Sequence, residues 1–359
     1  MTRQELEKIL DTPLNIRDKN IYIWGTGNTT MLYQEGLNRL EEEGSLHIAG
    51  YVDNNSRKWG KTFFDKPVLS PQELMKYTDV CVLICTPQPQ VIGAVRQQLK
   101  ELQVEGYHID EVILKLHKEK VLKCFDLLDD TESRETYAHI IMCRINGEYP
   151  QEQYVSSEQY FLLKKFRQRN PKEVFVDCGA FVGDSVERYI WKKDGVFNKI
   201  IAFEPSQKNY RALQKRTDRL KEEWNFAPEQ IEIYPYGISD HGSYSKIEQD
   251  SINNGLSSKI TENLSVEGEE CRLVTIDEFI KEPFTYLKAD IESYEYKMLQ
   301  GAQLSIAKYH PLLAVCIYHN AADLYDIPLF IKSIVPEYKM QIRHHSDLLD
   351  ETVLYAWID

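Results

Sequence analysis

An apolar, strand-like stretch runs into a turn that could bind a small charged ligand, Val174-Phe175-Val176-Asp177-Cys178-Gly179-Ala180-Phe181-Val182-Gly183-Asp184-Ser185. The two glycines let the backbone bend sharply and let a ligand approach, because no Cβ atom stands in the way. The helix predicted after the turn offers free N–H groups and a positive dipole end, which suit a carboxylate. A dinucleotide turn needs Gly-x-Gly-x-x-Gly, but Phe181 stands at its second glycine. The spacing therefore favours S-adenosylmethionine over a pyrophosphate.

The two strands that follow supply further groups for such a cofactor. The second strand ends in Ala202-Phe203-Glu204-Pro205, about 20 residues beyond Gly183. A carboxylate at this strand tip can accept hydrogen bonds from both ribose hydroxyls. The third strand ends in Tyr236-Gly237-Ile238-Ser239-Asp240, which is suitably placed to border the adenine.

Asp290 and His319 follow the next two predicted strands and are the candidate catalytic residues. Carboxyl ends of parallel strands meet at one edge of an open sheet, where ligands bind. Histidine titrates near neutral pH, so His319 could accept the proton of an acceptor hydroxyl. Asp290, His319 and Asn320 could instead hold a divalent cation. We therefore predict as cofactor-binding residues Asp177, Gly179, Ala180, Phe181, Gly183, Asp184, Ser185, Glu204, Pro205, Gly237, Ile238, Ser239 and Asp290.

Short apolar runs alternate with helical periodicity twice along the chain, which predicts an α/β protein with two Rossmann-like, doubly wound domains. We expect a Rossmann-like nucleotide-binding-type domain over 1–121 and connecting helices over 122–171. The methyl-donor domain would then span 172–359. Within the first domain, the sequence pattern predicts strands at Ile21–Trp24, His47–Val52, Val80–Cys85 and Val112–Leu114.

The first domain carries a degenerate nucleotide-binding fingerprint. A strand runs into Gly25-Thr26-Gly27-Asn28, but Thr30 stands where the third glycine is expected. Asp53 ends the next strand, at the usual ribose position. Gly25, Gly27, Asn28 and Asp53 therefore form a candidate second site for a nucleotide. A scaffold or dimerisation domain with an empty crevice explains the same pattern.

The composition of the chain limits the classes of molecule that it could bind and the compartment in which it could work. The net charge of −13 argues against nucleic acid, because phosphate neutralisation needs clustered Lys and Arg. No apolar run approaches the roughly 20 residues that cross a bilayer, and the start does not resemble a signal peptide. Seven scattered cysteines without Cys-x-x-Cys indicate a reducing compartment, so we expect a cytoplasmic protein. A homodimer is one arrangement that the edge strands or connecting helices could support.

As a set, the motifs resemble the FkbM family of methyltransferases over roughly Glu158 to Asp359. They are Asp177-x-Gly179-Ala180-x-x-Gly183-Asp184, Phe203-Glu204-Pro205, Thr275-Ile276-Asp277, Leu287-Lys288-Ala289-Asp290-Ile291-Glu292-x-x-Glu295, Leu299-x-Gly301-Ala302 and Glu351-Thr352-Val353-Leu354-Tyr355-Ala356. The family usually carries Asp-x-Glu-Gly-x-Glu, whereas Ser293 stands at the glycine position here.

The resemblance implies a class I methyltransferase fold, S-adenosylmethionine as donor, and O-methylation of a sugar, glycan or related small-molecule hydroxyl. The first domain resembles small Rossmann-type domains that precede some bacterial sugar-modifying enzymes. Two alternatives remain open at this point. One is an enzyme that uses NAD(P) or a nucleotide sugar through the first domain. The other is a nucleotide-sensing protein without turnover.

Overall fold

The computed structural model describes residues 1–27, 30–31, 33–249, 258–261 and 268–359. The strands are β1 (Asn20–Trp24), β2 (Ile48–Val52), β3 (Thr62–Phe63), β4 (Lys66–Leu69), β5 (Val80–Ile84), β6 (Glu105–His108), β7 (Val174–Cys178), β8 (Lys199–Phe203), β9 (Ile231–Tyr234), β10 (Tyr236–Ile238), β11 (Ser243–Gln249), β12 (Ser258–Thr261), β13 (Glu269–Val274), β14 (Tyr286–Ala289), β15 (Leu312–Cys316), β16 (Lys339–His344) and β17 (Thr352–Trp357).

Twelve α-helices lie within the described residues. They are α1 (Arg3–Leu10), α2 (Gln34–Glu42), α3 (Pro89–Glu101), α4 (Ile109–Leu116), α5 (Lys118–Leu127), α6 (Thr131–Asn146), α7 (Asp184–Lys192), α8 (Gln207–Trp224), α9 (Ile276–Phe279), α10 (Glu295–Gln300), α11 (Gln303–Tyr309) and α12 (Asp323–Ile334).

The first half of the chain forms a six-stranded sheet in the order β3-β4-β2-β1-β5-β6. All its neighbours pair in parallel except β3 with β4. The apolar runs of β1 and β5 are buried, as expected for central strands of a parallel sheet with crossover helices.

The second half forms a seven-stranded sheet in the order β16-β17-β15-β14-β7-β8-β9. Its first five strands in sequence are parallel, and β17 pairs antiparallel with β15 and β16. Strand order runs outward from β7 in both directions, so a crevice opens between the ends of β7 and β14. A second, four-stranded sheet, β10-β13-β11-β12, flanks this crevice.

The α/β prediction with two doubly wound sheets is confirmed. The strand predicted at Val112–Leu114 is wrong, since these residues belong to α4. Their apolar run is as long as a strand, and periodicity cannot separate a short buried strand from a buried helix turn.

A continuous cluster of buried apolar side chains extends through both halves, from Leu6 to Ala356. Helices α5 and α6 lie between the sheets, and Cys124 of α5 contacts the backbone of Tyr325 in α12. The division into 1–121, 122–171 and 172–359 therefore stays a prediction. Among the described helices, none combines the length and apolar character needed to span a membrane.

Candidate functional site

A cavity of about 260 Å³ lies at the crevice between β7, β8 and β14, and we call it the switch-point cavity. Its walls come from strand ends, the turn after β7 and the edge of the four-stranded sheet. Its lining residues are Gln159, Tyr160, Gly179, Phe181, Asp184, Ser185, Phe203, Glu204, Pro205, Asn209, Tyr236, Gly237, Ile238, Ile260, Lys288, Asp290, Ile291, Glu292, Tyr318 and Glu351.

Glu204 stands at the tip of β8 and is 6% exposed. Its carboxylate accepts hydrogen bonds from the backbone N–H groups of Phe181, at 2.9 Å, and Ser206, at 3.0 Å. Burial raises the pKa of Glu204 to about 7, and these backbone donors oppose the shift only in part. The result is a buried acceptor without a directly paired cation, facing a cavity beside a glycine turn.

Beneath the turn, Lys288 and Asp177 form a buried ion pair. The Lys288 Nζ lies 3.0 Å from Asp177 Oδ1 and donates to the carbonyl of Gly179 at 2.7 Å. The Ser185 hydroxyl donates to the other carboxylate oxygen of Asp177 at 2.5 Å. Although burial lowers the pKa of Lys288, the carboxylates of Asp177 and Asp290 raise it well above its usual value. This pair fixes the turn from below.

Close backbone contact explains the glycine at 179. Gly179 has φ +82°, and a Cβ atom there would lie 1.9 Å from the carbonyl oxygen of Asp290. No side chain can be inserted between β7 and β14 at this point without moving the backbone. The turn and Asp290 are therefore held in direct register.

Asp290 is held by two tyrosine hydroxyls at the mouth of the switch-point cavity. Tyr160 donates to its Oδ2 at 2.8 Å and Tyr318 to its Oδ1 at 3.0 Å. Burial alone would raise the pKa of Asp290, but Lys288, His319 and the two hydroxyls lower it. Asp290 is thus an oriented, ionised carboxylate.

His319 lies among carboxylates, and its side chain is 7% exposed. Its Nδ1 is 3.2 Å from Glu295, and its Nε2 is 3.6 Å from Glu292 and 3.7 Å from Asp290. Burial lowers the pKa of His319, but Glu295, Glu292 and Asp290 together raise it to about 10. The expectation that His319 titrates near neutral pH is therefore corrected, because the ring is cationic there and already holds the proton it was expected to accept.

The predicted cation site has a different composition from that expected. Ligand atoms of Asp290, Glu295 and His319 lie within 4.8 Å of one another, so this trio could hold a metal ion. Asn320 was the third predicted ligand, and its backbone N–H donates to Asp323. Glu295 comes from the first turn of α10, whose start sets it beside the end of β15.

The structure brings nine of the predicted cofactor residues to the switch-point cavity: Gly179, Phe181, Asp184, Ser185, Glu204, Pro205, Gly237, Ile238 and Asp290. Three further predicted residues are completely buried and do not line this cavity, namely Asp177, Ala180 and Ser239. Their role in cofactor binding stays a prediction. Gly183 does not line it either, and a Cβ atom there would meet Leu213 at 2.9 Å in the packing of α7 on α8, so its role in cofactor binding also stays a prediction.

Sequence reasoning missed Lys288, Tyr318 and Glu351 as lining residues. Lys288 had a readable signal, since a lone lysine in an apolar strand needs a partner and Asp177 stands in an adjacent apolar strand. The two residues are directly opposite in the β7–β14 pairing. Glu351 offered no such signal, because only the fold brings its turn to the cavity.

The turn after Glu292 is left-handed. Glu292 has φ 54° and Ser293 has φ 78°, the region that favours glycine. A left-handed backbone gives a physical reason for a glycine at this position, and this chain adopts that backbone with serine.

The candidate nucleotide site of the first half is arranged differently. Asp53 accepts from the backbone and hydroxyl of Thr26, at 3.1 and 2.5 Å, and pairs with Lys58 at 2.9 Å. Burial raises the pKa of Asp53, but Thr26 and Lys58 outweigh it and lower the value. The ribose-type carboxylate is thus neutralised by its own chain. Asn28 lies outside the described residues.

Two protein-family models match this chain, one in each half. Residues 177–349 match the model of the methyltransferase FkbM domain, and residues 17–110 match a model described as C2185-like, N-terminal. Residues 177–349 belong to the FkbM methyltransferase family. No curated protein matches the chain.

One solved structure shares the overall fold of this chain, and others are more distantly similar. Methyltransferase FkbM from Methylobacillus flagellatus KT is 21% identical, with 99% of this chain and 98% of that chain covered and a TM-score of 0.58. A putative rRNA methylase from Clostridium thermocellum is 10% identical (53% and 89% covered, TM-score 0.34). A putative methyltransferase from Streptococcus mutans, solved in complex with SAH, is 11% identical (53% and 90%, TM-score 0.32).

Proposed function

We propose that this FkbM methyltransferase uses S-adenosylmethionine to methylate a hydroxyl of a sugar, glycan or related small molecule. The observation that carries the proposal is Glu204, a buried carboxylate that faces the switch-point cavity beside the Gly179 turn. A buried acceptor without a paired cation is suited to a ligand that presents two neighbouring hydroxyls, as a ribose does.

The remaining lining residues fit the same cofactor. Tyr236, Ile238 and Ile260 offer an apolar wall for a purine, on the side of Glu204 that faces the four-stranded sheet. The turn that leads into α7 offers backbone N–H groups for a carboxylate. When bound, S-adenosylmethionine supplies an electrophilic methyl group.

The chain must orient the acceptor oxygen and remove its proton. Glu292 is the residue we assign as proton acceptor, since its carboxylate borders the switch-point cavity and lies 3.6 Å from the His319 ring. The cationic His319 ring offsets part of the negative charge of Asp290, Glu292 and Glu295. Asp290, fixed by the hydroxyls of Tyr160 and Tyr318, orients the groups on the acceptor side.

A transfer assay tests the activity. Purified protein is incubated with S-[methyl-³H]adenosylmethionine and a panel of methyl glycosides, inositols and phenols, and tritium in each product is counted. We expect incorporation into a sugar or polyol, and its loss in Glu292→Gln. Binding of S-adenosylhomocysteine without transfer to any member would favour a binding protein and oppose the proposal.

The alternative of a nucleotide enzyme acting through the first half has weaker support. Its ribose-type carboxylate, Asp53, already pairs with Lys58 at 2.9 Å. A nucleotide would have to displace that ammonium group, which costs part of its binding free energy.

A further inference from the structure

A second cavity, of about 310 Å³, lies between the two halves of the chain, and we call it the interdomain cavity. Its residues come from the carboxyl end of the first sheet, from α6 and from the loops after β14, β15 and β16. They are Tyr33, Pro87, Gln88, Pro89, Ile92, His108, Asp110, Arg144, Tyr149, Glu292, Ser293, Tyr318, His319, Leu348, Leu349 and Asp350.

The two cavities share a wall. Glu292 and Tyr318 line both of them, and His319 lines the interdomain cavity beside that wall. A methyl donor in one cavity and an acceptor in the other would therefore meet at Glu292, the proton acceptor assigned above. Volumes of roughly 300 Å³ and more are typical of small-molecule sites.

Buried polar atoms without partners line the interdomain cavity. Asp110 is 2% exposed; its Oδ2 accepts from Arg144 at 2.8 Å, while its Oδ1 has no partner. The Nε of Arg144 also lacks a hydrogen bond. Buried polar atoms left in this state are costly, so they indicate that a bound molecule, or water in its absence, satisfies them.

Arg144 also links the segments that form the walls of the interdomain cavity. Its guanidinium joins Asp110 of the first half to the carbonyls of Tyr318 and Leu349 in the second half. Three segments far apart in sequence are thereby held around one space. His108, whose Nδ1 accepts from the Asp110 N–H at 3.2 Å, fixes the start of α4 in the same wall.

From this arrangement we infer that the first half of the chain is the acceptor-recognition part of the enzyme, and that the interdomain cavity binds a neutral saccharide ring. The inference rests on the proposed function. Tyrosine rings at 33, 149 and 318 offer flat apolar faces for the C–H side of a pyranose. Asp110 offers an acceptor and Arg144 a donor for its hydroxyls. Because those two charges already pair with each other, the cavity favours an uncharged ligand over a phosphate.

A matched pair of substitutions tests the assignment. Gln88 is exposed and lines the cavity, so Gln88→Trp would fill it from the first half without disturbing the core. Gln90 is exposed on the same helix start but does not line the cavity, so Gln90→Trp is the control. The probe is a set of methyl glycosides of glucose, mannose, fucose and rhamnose, observed by saturation-transfer NMR with S-adenosylhomocysteine present.

We expect at least one glycoside to give a signal with the wild type and with Gln90→Trp, and to lose it with Gln88→Trp. Titration with S-adenosylhomocysteine should be the same for all three proteins. Absence of any glycoside signal with the wild type, or an unchanged signal with Gln88→Trp, would overturn the inference. If S-adenosylhomocysteine fails to bind while the glycosides follow the expected pattern, the proposed function fails and the saccharide cavity stands.

Discussion

The two sheets of this chain carry the same local device, a glycine turn after the first strand and a carboxylate at the tip of the second. In the first sheet these are Gly25 and Asp53, and in the second they are Gly179 and Glu204. The carboxylates differ in their partners. Asp53 pairs with Lys58 and its pKa is lowered, whereas the pKa of Glu204 is raised to about 7 by burial.

Strand order and motif spacing therefore define a crevice but not the molecule that binds in it. In the first crevice, the carboxylate of Asp53 already pairs with Lys58, a cation of the same chain. In the second crevice, the carboxylate of Glu204 has no paired cation among the described residues and stays open to a ligand. The following substitutions, made in pairs across the two crevices where the chain allows it, test that difference.

The largest effect is expected for Gly179→Val. Its side chain would collide with the Asp290 carbonyl, since even a Cβ atom lies 1.9 Å away. We expect loss of S-adenosylhomocysteine binding by roughly 100-fold or more and a lower melting temperature. The matched change is Gly27→Val, because nothing lies within 4 Å of a Cβ there. Calorimetric titration with S-adenosylhomocysteine measures the affinity of both variants. Equal losses of affinity would contradict the proposed difference between the two crevices.

Lys288→Met should come next in size. It leaves Asp177 buried without its cation, which costs about 3–5 kcal/mol in the free energy of unfolding. Lys58→Met removes the corresponding cation of the first crevice, but 37% of that side chain is exposed. We expect about 0–1 kcal/mol for it. Urea unfolding of the two variants measures the difference, and a larger loss for Lys58→Met would refute the ranking.

Glu204→Ala should weaken S-adenosylhomocysteine binding by about 1–3 kcal/mol, because the ribose hydroxyls lose a charged acceptor. Asp53→Asn should leave that affinity unchanged. For the wild type, affinity should rise with pH through about 7, where Glu204 becomes ionised, and then level off. Glu204→Gln should abolish that slope. Titrations between pH 6 and pH 8 check this, and an unchanged slope in Glu204→Gln would remove Glu204 from the site.

The same group gives a stability prediction of opposite sign. An unfolded Glu204 ionises near its ordinary pKa of 4.5, while the folded one holds its proton to about 7. Between these values the folded state binds more protons, so this group's contribution to stability falls as pH rises. Without ligand, wild type should lose stability relative to Glu204→Gln from pH 5 to pH 7. A constant difference in melting temperature would show that Glu204 is ionised throughout.

The smallest effect is expected for Ser293→Gly. Serine at φ 78° carries strain that glycine does not, so the substitution should stabilise the fold by about 0.5–1 kcal/mol. Ser293→Ala keeps the Cβ atom and should show no gain. Melting temperatures of the two variants separate relief of backbone strain from loss of the hydroxyl. Equal gains would point to the hydroxyl instead.

The sequence predicts the position of a residue correctly where that position depends on the residue's own strand. Glu204 and Asp290 could be assigned because carboxyl ends of parallel strands meet at one edge. It failed where a role depends on packing between distant segments. The buried ion pair of Asp177 with Lys288 is one example, because the two residues lie far apart in the sequence. The pKa of His319 was misjudged because Glu295 approaches it only through the start of α10.

The interdomain cavity depends even more on packing between distant segments, which sequence patterns do not reveal. Its lining residues come from different predicted parts of the chain, with Tyr33 and Asp110 in 1–121 and Arg144 in 122–171. None of the three belongs to a recognisable motif. Only the packing of α4 and α6 against the loop after β15 brings them beside His319. By contrast, the two-sheet architecture followed from alternating apolar runs and helical periodicity, because that pattern is local.

The most direct test of the account is calorimetric titration of the wild-type chain with S-adenosylhomocysteine, and separately with NAD(H) and UDP-sugars. We expect micromolar binding of S-adenosylhomocysteine that Asp53→Asn leaves intact and Glu204→Ala weakens. Absence of that binding, together with binding of a nicotinamide or sugar nucleotide that Asp53→Asn abolishes, would contradict it and move the ligand site to the first crevice.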